Sequence, residues 1–317
     1  MKRVTLADIA KKCGVSVNTV SHALNDKPDI SEKTKELIKK TANEMGYIGN
    51  SSASFLRSGL SKTIAVIVGD ISNPHFAILI KEIEVAAREK GYAVFVLNTD
   101  ENEQQEYKAI CAAISKNVDG IILCPVQEST KNIEFLIKSG VPFTLMGRRF
   151  KNINTNYVVL DDENSGYIAA EHIIKSGMRN TVIISAGLDI SSAEERLIGI
   201  DNCYKEIGNH ANFDLYMLSN LAGEHSKVME KIVNGGYDSA ICFNDILALE
   251  LLSYLDTDIK IVSFDNIRSR FPMPYKFASV TSSKTKMSHK AIEILFNAIG
   301  GNRELVQVVL PTRISNE

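Results

Sequence analysis

The sequence predicts an all-α three-helix head joined to an α/β body of two doubly wound parallel-sheet lobes. Three observations carry this. Residues 1–48 hold three short amphipathic stretches separated by a glycine turn and a polar loop. From Thr63 onward, short continuous apolar runs alternate with helix-length segments, as buried parallel strands alternate with their crossover helices. The 317 residues also exceed one ordinary core and call for two or three domains. The expected division is 1–48 head, 49–61 hinge or linker, and 62–317 body.

In the head, Thr5 caps a first helix, with Asp8 three residues on, and Leu6, Ile9, Ala10 and Cys13 form its apolar stripe. Gly14 breaks the helix as a left-handed cap residue would. Ser16 caps a second helix, Val17 to Leu24, with Val20, Ala23 and Leu24 inward. Asn25 to Asp29 reads as a loop. Ser31 caps a third helix that runs to about Met45. A tight glycine turn between the first two helices is the helix-turn-helix plan, in which the second helix enters the major groove. Asn18 can pair bidentately with adenine, His22 can donate to a guanine acceptor, and Val17 can touch a thymine methyl. Thr5, Ser16, Thr19, Ser21 and Asn25 are short polar groups suited to the DNA backbone, which fixes register rather than sequence. The same pattern also describes a small bundle with a solvated face.

Composition narrows the class. Hydrophobic residues make up 44% and charged residues 23%, as in a soluble globular protein. No apolar run reaches the ~20 residues a membrane span needs, and the charged start has no apolar leader core, so a cytoplasmic chain without membrane partners is expected. The five cysteines are scattered and read as small buried hydrophobes in a reducing compartment. Residues 1–60 hold ten Lys/Arg against six Asp/Glu, a surplus of four, while the remainder holds 26 against 32, a deficit of six. A basic head on an acidic body suits a polyanion-binding module.

The run Val4 to Asn25, with its Val15-Ser16-x-x-Thr19-Val20-Ser21 core, resembles the head signature of the LacI/GalR family of bacterial transcription regulators. The resemblance implies base reading by Val17, Asn18 and His22. Tyr47 to Arg57 resembles the family's hinge, a short helix that folds when paired across a dimer on DNA. Ala53 and Leu56 carry over as its minor-groove contacts, Leu56 as an apolar wedge. Gly49 stands where the family usually has proline, and Ser54 where it often has arginine; both loosen the hinge.

In the body, ligands of doubly wound sheets bind beyond the carboxyl ends of strands, and two lobes make that crevice a cleft. The expected strands are Ile64–Val68, Ala93–Leu97, Gly120–Cys124 and Phe143–Met146, then Thr181–Ser185, Asp214–Leu218, Ser239–Phe243 and Lys260–Phe264. A tail adds strands near 277–281 and 306–310 and a helix near 285–299. Asp70 to Phe76, Gly147-Arg148-Arg149, Asn244-Asp245 and Asp265-Asn266 follow strands, and Arg196 opens a helix. Carboxylates, amides, a guanidinium and one aromatic face suit a polyol, although each polar residue alone reads equally well as a cap or turn former. Asp70-Ile71-Ser72-Asn73-Pro74, Ser263-Phe264-Asp265-Asn266 and Pro311-Thr312-Arg313 extend the resemblance, and the body is similar to periplasmic sugar-binding proteins. It implies an effector pocket lined by Asn73, His75, Phe76, Arg148, Arg196, Asn244 and Asp265. Gly147 stands where the family often has aspartate, and the chain has no tryptophan for the pocket.

The expected function is a sequence-specific, homodimeric transcription regulator, a repressor. Its affinity for a pseudo-palindromic operator is changed by a small molecule in the inter-lobe cleft, a sugar or sugar derivative, with no metal or cofactor. The alternative effector is a purine or nucleoside. A solute-binding transport component would share the body but not the head. An enzyme is not expected, because Glu194-Glu195, His172 and His225 come with no nucleophile motif, metal-spaced cluster or phosphate loop.

Overall fold

A computed structural model describes residues 4–48, 59–187, 189–208, 210–218, 224–255, 258–270 and 277–315. The chain divides into two compact units between residues 61 and 62. The expected hinge contacts Ala53 and Leu56 lie outside the described residues.

The first unit is built from helices α1 (Leu6–Cys13), α2 (Val17–Leu24) and α3 (Glu32–Glu44). Each starts where a short hydroxyl side chain satisfies an orphan backbone N–H. Thr5 and Asp8 form a reciprocal capping box, Ser16 accepts from the Thr19 N–H at 3.0 Å, and Ser31 accepts from the Thr34 N–H. Gly14 adopts φ +65°, a conformation that penalises residues with a Cβ, and so turns the chain from α1 into α2. Ile9, Val20, Ala23 and Ile38 are fully buried where the three helices meet.

The second unit holds two six-stranded sheets. The first has strands β1 (Thr63–Val68), β2 (Ala93–Asn98), β3 (Gly120–Leu123), β4 (Phe143–Met146), β5 (Tyr157–Leu160) and β11 (Gln307–Leu310), in the order β11-β5-β4-β3-β1-β2, all parallel. The second has β6 (Asn180–Ser185), β7 (Asn212–Met217), β8 (Ser239–Cys242), β9 (Lys260–Phe264), β10 (Ala278–Thr281) and β12 (Arg313–Ser315), in the order β12-β10-β9-β8-β6-β7, with β12 alone antiparallel.

The continuous apolar run of β1 follows from its place in the sheet. Ile64, Val66 and Val68 face the core under α4 (Pro74–Glu89) and α11 (Lys284–Ile299), while Ala65 and Ile67 face the core under α5 (Glu103–Ser115) and α6 (Lys131–Ser139). A strand covered on both faces has no polar side to alternate with. The second sheet repeats the plan, with α7 (Asp162–Lys175) and α8 (Ser191–Ile207) on one face and α9 (Glu224–Val233) and α10 (Asp245–Leu252) on the other.

Two features depart from the sequence reading, and a third is one it left open. Strands β5 and β12 were not expected: both are short, and neither leads into a helix of its own sheet. The tail, which the sequence assigns to neither lobe, serves both: β10 extends the second sheet beside β9. Helix α11 packs on the first-lobe core through Ala291, Ile294 and Leu295, and β11 pairs with β5. The chain therefore passes between lobes three times, after Leu160, after Thr281 and after Leu310. Finally, Arg196 lies in the second turn of α8, which opens at Ser191 rather than at Arg196.

Helices α7 and α8 cross with their backbones almost touching. A Cβ on Gly166 would stand 1.9 Å from the Arg196 carbonyl oxygen, and one on Gly199 would stand 1.8 Å from that of Glu163. Neither obstacle is a side chain that can swing aside, so Gly166→Ala must part the helices. It is expected to destabilise the body by about 1–3 kcal/mol, read as a lower thermal midpoint. An unchanged midpoint would show that the crossing is looser than described.

Candidate functional site: the head surface and the body cleft

On the head, Val17 (47% exposed) and Asn18 occupy the first two positions of α2 and face solvent. His22 is one turn further along the same side, half-buried, with Nδ1 2.6 Å from the Asp29 carboxylate. The hydrogen bond from His22 holds the Asp29 carboxyl below its usual range, against a smaller opposing effect of desolvation. This pairing refines the chemistry expected of His22. With the proton on Nδ1, the neutral ring presents Nε2 as an acceptor, suited to the amino groups of adenine or cytosine; donation to guanine needs the protonated ring. Asp29 was missed because a loop Asp-x-x in sequence gives no sign of which side chain it will meet.

The five expected backbone contacts sit along the same helix ends, several already engaged. Thr5 and Ser16 serve their caps, Ser16 and Thr19 share a hydroxyl contact at 2.9 Å, and Asn25 donates to the Ser21 carbonyl at 2.6 Å. Thr5, Ser16 and Asn25 remain exposed, while Thr19 and Ser21 are half-buried.

In the body, the carboxyl ends of both sheets enclose a cleft of about 410 Å³, and all seven expected pocket residues line it. The first lobe supplies the segment after β1. Asn73 caps α4 by accepting from the His75 N–H at 2.9 Å, which sets His75 edge-on to Phe76 at the cleft wall. From the second lobe, Arg196 is buried and held on three sides. Its Nε donates to Asp162 at 2.7 Å, its Nη1 donates to the Phe243 carbonyl at 2.9 Å, and its guanidinium lies 4.1 Å over the Phe264 ring. Burial raises the Asp162 carboxyl, with Arg196 pulling against it.

Asp265 stands at the corner after β9 with φ +96°, a strained conformation for a residue with a Cβ. Its carboxylate is 3.0 Å from His75 Nδ1, a close contact whose geometry falls short of a hydrogen bond. Burial alone would raise this carboxyl; His75, then Lys284 and Arg196, outweigh burial and hold it well below the usual range. The pair joins the two lobes across the cleft. Asn244 caps α10 by accepting from the Leu247 N–H at 2.9 Å. Its neighbour Asp245 turns into the sheet, accepting from the Ser279 hydroxyl, the Ile267 N–H and the Ser263 hydroxyl, so it anchors the lobe rather than lining the cleft.

Arg148 is clasped in two-pronged fashion by Glu101, at 2.6 and 2.9 Å, and also donates to the Pro125 carbonyl. Glu101 lines the cleft and went unnoticed in the sequence because it follows β2 in a loop of charged residues. Gly69 makes room for it, since a Cβ there would collide with the Glu101 carboxylate.

The comparisons with known proteins follow the same division. Residues 5–50 match the profile described as bacterial regulatory proteins, lacI family, and residues 61–255 match periplasmic binding proteins and sugar binding domain of LacI family. The chain belongs to the lacI family. It is a DNA-binding transcription regulator with a helix-turn-helix head and a periplasmic-binding-protein-like body. Its curated relatives include the HTH-type transcriptional repressor PurR of Histophilus somni (strain 2336), 28% identical over 319 residues and covering 96% of both chains. Among solved structures, the lac repressor dimer bound to operator and the anti-inducer ONPF aligns with a TM-score of 0.82 at 20% identity, over 99% of this chain and 98% of that one. The transcriptional regulator CelR–cellobiose complex aligns with a TM-score of 0.69 at 22% identity, over 99% and 98%. At these identities the structural likeness is one of fold. Among the described residues of this lacI-family chain, no helix is long and apolar enough to cross a membrane.

Beneath the cleft of the regulator, Glu106 on α5 is fully buried, accepting from the Val126 N–H at 2.6 Å and Asn132 at 2.9 Å. Burial raises its pKa from 4.5 to about 7. The folded state thus holds this proton more tightly than the unfolded chain. The resulting stability is complete below about pH 4.5 and is lost as pH rises through about 7. Denaturant melts across that window are expected to lose roughly 3 kcal/mol from this group, and Glu106→Gln should flatten the slope. An equally steep slope in the variant would remove Glu106 as the source.

Proposed function

We propose that this regulator is a homodimeric repressor whose operator affinity is set by a sugar bound in the body cleft. The observation that carries the reading is the arrangement around Arg196. A guanidinium stacked on Phe264 and fixed by Asp162 lines the cleft beside Asp265 and Asn244, with Asn73 and the aromatic wall of Phe76 supplied by the first lobe. Fixed carboxylates, amides and a guanidinium form paired hydrogen bonds with neighbouring hydroxyls, while a ring covers the apolar face of a sugar. The cleft volume lies within the range of small-molecule sites. The cellobiose bound to CelR and the operator bound to the lac repressor dimer, on the same fold, support the two halves of the proposal.

Val17, Asn18 and His22 read base edges in the major groove, and Thr5, Ser16, Thr19, Ser21 and Asn25 hold the sugar-phosphate backbone. Ala53 and Leu56 contact the minor groove. A two-fold pair of heads then demands a pseudo-palindromic operator. The effector acts by binding two lobe arrangements unequally. His75–Asp265 and Arg149–Glu195, the latter at 2.9 Å, are cross-lobe pairs that differ between an open and a closed body.

Two outcomes are expected. Asn18→Ala should lower discrimination between operator and random DNA by about 1–3 kcal/mol, measured by competition binding; equal losses on both DNAs would count against base reading. A thermal-shift screen of sugars and nucleobases should yield a sugar hit, and Asp265→Asn, which keeps the shape of the corner, should abolish it with operator binding retained. A nucleobase hit in place of a sugar would overturn the effector assignment.

A further inference from the structure

Resting on the cleft as the effector site, we propose that it is built for an uncharged polyhydroxyl ligand and excludes the phosphorylated form of that ligand. A phosphate ester brings about −1.5 to −2 charges and is held by unpaired cations or by free helix N–H groups. Among the described residues, the cations on the cleft wall are paired and most of the helix ends are capped. Both Nη atoms of Arg148 are taken by Glu101, with Pro125 accepting a further bond. Arg196 gives Nε to Asp162 and Nη1 to the Phe243 carbonyl, so its charge is already met by a carboxylate and Nη2 is left to serve a neutral hydroxyl. Lys284, behind Asp265, donates to the Asp265 carbonyl.

Most of the helix ends at the cleft are closed as well. Helix α4 begins with Pro74, which has no N–H, and its next N–H is taken by Asn73. Asp161 caps α7 and Asn244 caps α10. Helix α8 has no side-chain cap but carries Glu194 and Glu195 in its opening turns. An arriving phosphate would instead meet the carboxylates of Asp70, Glu101, Asp162, Glu250 and Asp265, all on the cleft wall. His225, 3.4 Å from Glu250, and His75, beside Asp265, are paired with acids rather than left open to an anion. A neutral polyol turns the same wall to advantage, since its hydroxyls donate to carboxylates.

Glu101 is the residue that makes the choice. It cancels Arg148, the cation that would otherwise open onto the cleft, and Gly69 provides the space it occupies.

The test measures thermal stabilisation of the full chain at fixed ionic strength by inorganic phosphate and by matched pairs, glucose and glucose 6-phosphate, ribose and ribose 5-phosphate. The wild type should gain nothing from inorganic phosphate, and the phosphate ester of any sugar that binds should be weaker by about tenfold or more. Glu101→Gln should gain stabilisation by inorganic phosphate, and adding Arg148→Gln should remove it. Stabilisation of the wild type by inorganic phosphate, or by an ester beyond its parent sugar, overturns the proposal. So does a folded Glu101→Gln, judged by circular dichroism, that gains none. If that variant does not fold, the wild-type comparisons decide. If no sugar of either kind binds while Glu101→Gln gains phosphate, the sugar assignment fails and the exclusion of anions stands.

Discussion

The second lobe is organised around one buried ion pair, Arg196 with Asp162. A guanidinium this deeply placed is tolerable only if a carboxylate meets it and its remaining donors find oxygens, because an unpaired buried charge costs several kcal/mol. That requirement accounts for the packing around it. Arg196 is on α8 and Asp162 on α7, so the two helices must run close together, which Gly166 and Gly199 permit. The Phe243 carbonyl takes a second donor at the end of β8, and Phe264 at the end of β9 provides the ring beneath. One side chain thus gathers the amino ends of α7 and α8 and the carboxyl ends of β8 and β9. Asp162 opens α7 just after the chain has crossed from β5, so the same pair also marks the passage between lobes.

Around this pair, charge in the cleft is economised. The cations on its wall are paired with acids and most of its helix ends carry caps, so most polar groups there hold the protein together as well as facing a ligand. Asn73 and Asn244 are helix caps, and Asp265 sits in a strained corner beside His75 and Lys284. Groups fixed in this way pay little ordering cost on binding. The head follows the same economy. Thr5, Ser16 and Asn25 stabilise helix ends and remain exposed, and Asp29 orients His22.

Much of this was readable from the chain alone. Caps at Thr5, Ser16 and Ser31, the αL turn at Gly14 and the doubly buried strands are local consequences of residue type, and they stand in the structure as the pattern requires. The pocket residues could be anticipated because a parallel sheet directs whatever follows its strands to one end. Their partners could not. Nothing near Arg148 announces Glu101, 47 residues earlier, and nothing near His22 announces Asp29. The return of α11 and β11 to the first lobe was equally hidden, since an amphipathic helix and an apolar strand carry no mark of which sheet they will complete.

From the chain alone came most of the elements, their order and the class of protein, because caps, turns and apolar periodicity act over a few residues; the short strands β5 and β12 escaped because only their pairing defines them. Tertiary structure decided which lobe the tail completes, which acid neutralises which base, and hence the charge a ligand meets in the cleft. Those outcomes depend on groups far apart in the chain, brought to hydrogen-bond distance only when the sheets, the helix crossing at Gly166 and the three passages between lobes are all in place.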